Sequence, residues 1–283
     1  KAEGLSEALA QLTVQRIGFE ASLAYGVYND FRSKGDRDWS WQPLKEDLQE
    51  LRLLKTADEV AAMAQAAETN RAAFQAVADR IRPGLRENEL ALALEYALRQ
   101  AGGEEKAFAI IVASGERGAL PHGLASDKCL AAGELVTIDF GCRRAGYHSD
   151  ETVTLAIGDV PAELRRIYDT VLEAHDRALA AVRPGLPLKD LDAVARDYIS
   201  AQGYGAFFGH GLGHGVGLEV HEAPVVSSRS QQIAAEGMVL TIEPGIYVPG
   251  TGGVRIEDMV LVTADGGRVL TKIPKTFRNI LLN

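Results

Sequence analysis

The sequence predicts an α+β fold made of two copies of one unit, each with two helices followed by antiparallel strands. The run Arg-Pro-Gly-Leu at 82–85 recurs at 183–186, an offset of 101 residues. The run Thr-Ile-Asp-Phe-Gly at 137–141 recurs as Thr-Ile-Glu-Pro-Gly at 241–245, an offset of 104, and here an acid matches an acid. Such a duplication predicts a pseudo-two-fold axis that brings corresponding residues together at the centre.

The composition is typical of a folded protein and excludes several classes. The 283 residues are 46% hydrophobic and 24% charged, and the net charge of -9 argues against a nucleic-acid partner. No apolar run approaches the roughly 20 residues of a membrane helix, and no secretory signal pattern is visible, so a cytoplasmic location is predicted. The chain begins at Lys1, which leaves open whether a segment precedes it. Cys129 and Cys142 are predicted to be reduced and mostly buried.

The first residues differ from the rest of the chain. Residues 1–48 contain both tryptophans and a polar stretch at 33–38, which predicts a short or remnant N-terminal domain with a linker. Residues 49–283 are predicted to form the main domain.

Four helices are predicted in the main domain. Thr56 and Glu59 form a capping box that begins the first, whose apolar positions run from Val60 to Ile81 before a Pro-Gly pair. The others are predicted at about 87–100, 162–182 and 188–201, each followed by glycine or Pro-Gly, with strands between the pairs and to the end. His175 lies within the third helix and is predicted to be solvated or to cap.

The segment 209–222 is the densest in chemistry-bearing residues. It contains three histidines, interleaved with five glycines that allow close backbone approach. The glycine spacing does not fit a dinucleotide-binding motif, because Val216 stands where the third glycine would be required.

Four acids in apolar strand patterns are further candidate functional residues. The sequence has two such pairs, one in each half: Asp139, Asp150, Glu243 and Glu257. Carboxylates among apolar residues are costly unless they are paired or bind metal. Four carboxylates and one imidazole suit two neighbouring divalent ions, and oxygen-rich ligation favours manganese, cobalt or zinc over copper.

These residues and motifs together resemble the pita-bread metallopeptidases, which include methionine aminopeptidase, aminopeptidase P and Xaa-Pro dipeptidase (prolidase). The resemblance covers about residues 49–283, and residues 1–48 resemble the tail of the family's N-terminal domain. It implies a pita-bread catalytic domain in a homodimeric hydrolase that uses two divalent metal ions. Manganese is the favoured cellular metal, with cobalt or zinc as alternatives.

The resemblance also implies individual roles. Five residues are similar to the family's metal ligands: Asp139, Asp150, His214, Glu243 and Glu257. A metal-bridged hydroxide would attack the scissile carbonyl, and Glu243 would shuttle the proton. His221 is similar to the histidine that stabilises the tetrahedral intermediate, and His122 to the one that faces it across the substrate.

Further residues match the branch of the family that cleaves Xaa-Pro bonds. His210, Tyr247 and Arg255 match positions of that branch, and with His122 and His221 they are expected to bind substrate. No role follows for His148. Glu151, Glu222 and Asp258 flank functional positions, but strand alternation predicts that they face away from the site.

The leading hypothesis is therefore an Xaa-Pro dipeptidase that acts on proline-containing dipeptides or short peptides, without nucleic-acid or membrane partners. An Xaa-Pro aminopeptidase acting on longer peptides is the alternative. Methionine aminopeptidase is disfavoured by His210 and Arg255. A non-catalytic binding module, or a metal-free enzyme resembling creatinase, is disfavoured by the full carboxylate set.

Overall fold

The computed structural model describes residues 2–12, 14–34, 39–44 and 47–280. The chain divides into two compact units, Lys1–Arg52 and Leu53–Asn283. The predicted domain boundary after residue 48 stays a prediction, and most of the polar stretch predicted as a linker, residues 35–38, lies outside the described residues.

The described residues of the first unit form short helices and a two-stranded parallel sheet. In chain order these elements are α1 (Ala2–Ala10), β1 (Arg16–Glu20), α2 (Tyr25–Lys34) and β2 (Ser40–Leu44). Rings of Phe19, Tyr28 and Trp41 pack against one another, with centroids 4.7 to 6.3 Å apart. Helix α3 (Asp47–Leu53) follows.

The second unit contains the four predicted helices: α4 (Ala57–Ala78), α5 (Glu87–Gln100), α6 (Ala162–Ala181) and α7 (Leu188–Ala201). The capping box is confirmed, because Glu59 accepts a hydrogen bond from the Thr56 amide at 2.7 Å and donates its own amide to the Thr56 hydroxyl at 3.4 Å. The predicted end of α4 near Ile81 was wrong. The helix stops at Ala78, and Ile81 is buried in the following turn.

The strands of the second unit follow the helix pairs. In the first half they are β3 (Glu105–Lys106), β4 (Ile111–Ser114), β5 (Glu134–Phe140), β6 (Cys142–Arg144), β7 (Tyr147–His148) and β8 (Glu151–Ile157). In the second half they are β9 (Gly213–Gly215), β10 (Glu222–Val226), β11 (Val239–Ile242), β12 (Gly245–Val248), β13 (Gly252–Arg255), β14 (Asp258–Thr263), β15 (Gly266–Val269) and β16 (Asn279–Ile280).

The sheets repeat the predicted duplication. Antiparallel β5 and β8 form the centre of one sheet, ordered β16-β8-β5-β4, and antiparallel β11 and β14 lie within the other, ordered β10-β9-β11-β14-β15. In both halves a pair of helices packs against these strands through buried apolar side chains. The four predicted acids lie in or directly beside these two strand pairs. The repeat therefore places the carboxylates at corresponding points of both halves.

Two predictions about single residues were wrong. His175 is not solvated: it is 1% exposed, and its Nε2 lies 3.2 Å from the Asp258 carboxylate. Cys129 is exposed, whereas Cys142 is buried as predicted. Within the described part of the chain, no helix has both the length and the apolar character needed to cross a bilayer.

Candidate active site

The five predicted metal ligands all come from the two central strand pairs and their neighbour β9. Asp139 lies in β5 and His214 in β9, whereas Glu243 directly follows β11. Asp150 and Glu257 directly precede β8 and β14. All five line one cavity of about 310 Å³. The structure therefore brings the five predicted residues together.

Close packing of the strands fixes His214. A Cβ at neighbouring Gly213 would lie 1.9 Å from the carbonyl oxygen of Thr241, so only glycine permits β9 to approach β11 this closely. Nδ1 of His214 lies 2.9 Å from the Gly215 carbonyl oxygen, which leaves Nε2 to face the acids. That nitrogen lies 3.3 Å from Glu243 Oε1 and 3.6 Å from Asp150 Oδ2.

The arrangement fits a bound cation. Asp150, His214 and Glu257 each present a ligand atom, and these atoms all lie within 4.8 Å of one another. Asp139 adds a buried Oδ1 without a hydrogen-bond partner. Buried acceptors that converge without donors are costly unless a cation compensates them. Oxygen ligands with one imidazole suit hard or borderline divalent ions.

The pKa shifts of the carboxylates also indicate a site that binds cations. Burial raises the pKa of Asp150 and Glu257, and repulsion from neighbouring carboxylates raises both further. Burial also raises the pKa of Asp139, although Arg255 opposes it. Burial disfavours the ionised Glu243 too, but the hydrogen bond and charge of His214 outweigh burial and lower its pKa to about 2. Such concentrated negative charge favours binding of positive ions.

A hydrogen-bonded chain extends from the acids across the cavity wall. The Arg255 guanidinium donates to Asp139 Oδ2 at 2.5 Å, to the Tyr247 hydroxyl at 3.0 Å and to the Pro121 carbonyl oxygen at 3.0 Å. Tyr247 in turn lies 2.9 Å from Nε2 of His210. Arg255 is 4% exposed, so it belongs to the site and is not a surface ion-pair residue.

The other predicted histidines also line the cavity. His122 and His221 both contribute to its wall, and the His221 ring centroid lies 4.3 Å from that of His214. Burial and the charge of His214 lower the pKa of His221, and burial lowers that of His210. His148 lies outside the wall, where its Nδ1 is 3.3 Å from the Gly217 carbonyl oxygen.

Sequence reasoning missed the apolar part of the wall. It consists of Phe108, Ala109, Ile111, Pro121 and Leu124. Three of these lie in an apolar run of strand length, residues 107–113, which leads into β4, and Pro121 and Leu124 lie on either side of His122.

Behind the site, the residues next to two of the acids form a separate buried charge cluster. Glu151 and Asp258 do not line the cavity, as strand alternation predicted. Nζ of Lys275 lies 2.7 Å from Glu151 Oε1 and 3.3 Å from Asp258 Oδ1. Burial raises the pKa of Glu151 to about 7 despite Lys275. Glu222 also lies outside the cavity, 2.7 Å from Lys55.

Residues 61–264 match the metallopeptidase family M24, and this match covers most of the chain. The chain belongs to metallopeptidase family M24. This M24 member is 44% identical over 258 residues to an Xaa-Pro dipeptidase of Pyrococcus furiosus, a match that covers 91% of this chain and 74% of that protein. It is 42% identical to an Xaa-Pro dipeptidase of Pyrococcus horikoshii, a match that covers 92% of this chain and 74% of that protein.

Solved structures agree with the family assignment. The M24 chain superposes on an Xaa-Pro dipeptidase from Bacillus anthracis with a TM-score of 0.95 and 43% identity, covering 99% of this chain and 78% of that one. An X-Pro aminopeptidase from Thermotoga maritima MSB8 gives a TM-score of 0.93 and 38% identity, with 99% and 79% covered. The predicted pita-bread fold is confirmed, and the M24 protein is an enzyme of the peptidase class.

Proposed function

We propose that this M24 peptidase hydrolyses the peptide bond between a residue Xaa and a following proline, with dipeptides as its preferred substrates. The observation that carries the proposal is the cavity that gathers the acids and His214 together with His122, His210 and His221. The relatives named Xaa-Pro dipeptidase support the choice of substrate.

The five converging ligands fit two divalent cations: Asp139, Asp150, His214, Glu243 and Glu257. Bound divalent ions would supply activation of water as the nucleophile and polarisation of the scissile carbonyl. Manganese is the proposed metal, with cobalt or zinc as alternatives. A homodimer and a cytoplasmic location stay predictions, and the mass in solution would test the first.

The side chains of the site then transfer the proton and stabilise the negative charge that develops on the substrate. The Glu243 carboxylate accepts a proton from the attacking water and transfers it to the departing prolyl nitrogen. His221, beside His214, donates a hydrogen bond to the oxyanion that develops on the scissile carbonyl, and His122 faces the substrate as well. His210, Tyr247 and Arg255 form the wall that orients the substrate.

The apolar wall suits proline. A prolyl nitrogen within a peptide bond carries no hydrogen, so its pocket needs no hydrogen-bond acceptor there. Phe108, Ile111 and Leu124 offer apolar surface of the kind that accepts a pyrrolidine ring.

One observation favours a second candidate, an Xaa-Pro aminopeptidase that accepts longer peptides. Among the described residues that line the cavity there is no lysine, and the sole arginine, Arg255, is already bonded to Asp139, Tyr247 and Pro121. A cationic side chain gives the strongest binding of a free proline carboxylate, whereas an internal proline presents no carboxylate.

The two candidates are separated by the substrates that release alanine. With Mn²⁺ added, we expect free alanine from Ala-Pro and little from Ala-Pro-Ala, and we expect a chelator to abolish release because the cavity's acids bind metal. Release from both peptides would indicate the aminopeptidase. Release from neither would contradict the proposal, and cleavage of Met-Ala-Ser alone would indicate a methionine aminopeptidase.

His221→Ala should lower kcat about 100-fold, which is typical for loss of one donor to a developing oxyanion. The content of Mn²⁺ should stay that of the wild type, because His221 is not among the proposed ligands. His148→Ala is the matched control, since this imidazole lies outside the cavity and should leave kcat unchanged. Loss of metal from His221→Ala would show that the proposed role is wrong.

A further inference from the structure

One buried carboxylate holds the loop that carries His122. Glu87 is the first residue of α5, and its side chain is fully buried. Residues 115–125 run from the end of β4 past His122 and return to the helix at Ser126. Both ends of this loop therefore meet the same helix terminus.

The Glu87 carboxylate accepts five hydrogen bonds from the loop and its two ends. Oε1 accepts from the amide and hydroxyl of Ser114, both at 2.8 Å. Oε2 accepts from the amide and hydroxyl of Ser126 at 3.1 and 2.6 Å, and from Arg117 Nε at 3.0 Å. Arg117 also donates to the Leu124 carbonyl oxygen at 2.5 Å, so the anchor reaches both sides of His122.

The second half of the chain holds its own histidine loop in the same way. Asp192 in α7 is fully buried and accepts from Arg196 at 2.7 and 2.9 Å and from the Leu212 amide at 3.0 Å. Arg196 donates in turn to the carbonyl oxygens of Phe208 at 3.0 Å and His210 at 2.6 Å. The second helix of each half thus anchors a loop that presents a histidine to the cavity.

We propose that Glu87 and Asp192 are positioning residues, which hold His122 and His210 in the geometry that the substrate requires. Neither carboxylate lines the cavity. Glu87 acts on its loop through both ends and through Arg117, and Asp192 acts on its loop through the Leu212 amide and Arg196. The kinetic part of this inference rests on the proposed Xaa-Pro activity, whereas the anchoring of the loops does not.

A charged carboxylate is needed at both positions. A glutamine or asparagine amide has one acceptor oxygen and two N–H donors, so it would confront the surrounding N–H and O–H donors with further donors. Buried donors that lose their acceptor are costly. Although burial opposes ionisation of Glu87, its hydrogen bonds with Ser126 and Ser114 and the charge of Arg117 lower its pKa, which is consistent with a charged anchor.

Glu87→Gln and Asp192→Asn test the proposal, with Glu89→Gln and Asp190→Asn as matched controls. The control acids lie on the same two helices, correspond to each other in the internal repeat and are exposed. Amide hydrogen exchange, measured without substrate, should become about 10-fold faster in 115–125 for Glu87→Gln and in 208–212 for Asp192→Asn. Each variant should affect only its own loop.

Kinetics on Ala-Pro separate positioning from a general structural role. Glu87→Gln should lower kcat/KM about 100-fold mainly through kcat, since His122, which faces His221 across the substrate in the proposed site, would be displaced. Asp192→Asn should act mainly through KM, since His210 belongs to the binding wall. Mn²⁺ content should stay that of the wild type in Glu87→Gln, because no proposed ligand lies in 115–125.

Faster exchange with unchanged kcat and KM, or a uniform rise in exchange over the whole domain, would overturn the proposal. If Glu87→Gln does not fold, Arg117→Met still decides, because Glu87 then keeps its four hydrogen bonds from Ser114 and Ser126, and loss of the partly exposed arginine should loosen 115–125 in the same way. A wild-type enzyme inactive on every Xaa-Pro peptide would refute the proposed function, while the exchange data would still decide whether the loops are anchored.

Discussion

Replacement of Glu243 by glutamine is expected to lower kcat on Ala-Pro by about 10³-fold, within the range typical for loss of a general acid–base group. The Glu243 side chain lies 3.3 Å from His214. Glu243 directly follows β11, which corresponds in the repeat to β5, the strand of Asp139. An amide cannot accept the proton of the attacking water or return it to the prolyl nitrogen. It keeps one oxygen of similar size, so part of the metal binding should survive. Turnover and Mn²⁺ content, measured on the same preparation, check this.

Glu236→Gln is the matched control, because this glutamate is exposed and lies three residues before β11, the strand that Glu243 directly follows. It should leave both turnover and metal content unchanged. Full activity of Glu243→Gln would show that another group moves the proton. Complete loss of metal would instead show that Glu243 acts chiefly as a ligand.

The acids of the site could be predicted from the sequence because the duplication marks them. Asp139 and Glu243 occupy equivalent places in two matching apolar runs. Strands of such composition are buried, and a carboxylate in a buried strand is costly unless it is paired or binds a metal. The helix bounds of α5 and α7 were also predictable, since glycine at 102–103 and at 203 ends the two patterns. The fold follows from the same repeat.

The anchoring residues could not be predicted in this way. Glu87 resembles an ordinary acid in the first turn of a helix, and its five bonds come from residues 27 to 39 positions away in sequence. The burial of His175 could not be predicted either, because its partner, Asp258, lies on a distant strand. These contacts depend on tertiary structure, which local patterns do not encode.

Replacement of Lys275 by methionine is expected to destabilise the protein by about 3–5 kcal/mol, the usual cost of breaking a buried ion pair by removing one partner. The ammonium is 7% exposed and lies between Glu151 and Asp258, which are themselves nearly fully buried. These two residues directly follow Asp150 and Glu257, so the lysine joins the two strands that present those acids. The midpoint of urea unfolding measures the loss.

Lys272→Met is the control, because Lys272 is 60% exposed, lies three residues earlier and has its carboxylate partner Glu68 at 3.7 Å. An exposed pair contributes less than about 1 kcal/mol, so its removal should hardly move the midpoint. Adding Glu151→Gln to Lys275→Met should restore part of the stability, because it removes the carboxylate whose cation is lost, whereas Asp258 keeps His175 at 3.2 Å. Equal midpoints for the two lysine variants would show that the buried cluster does not hold these strands together.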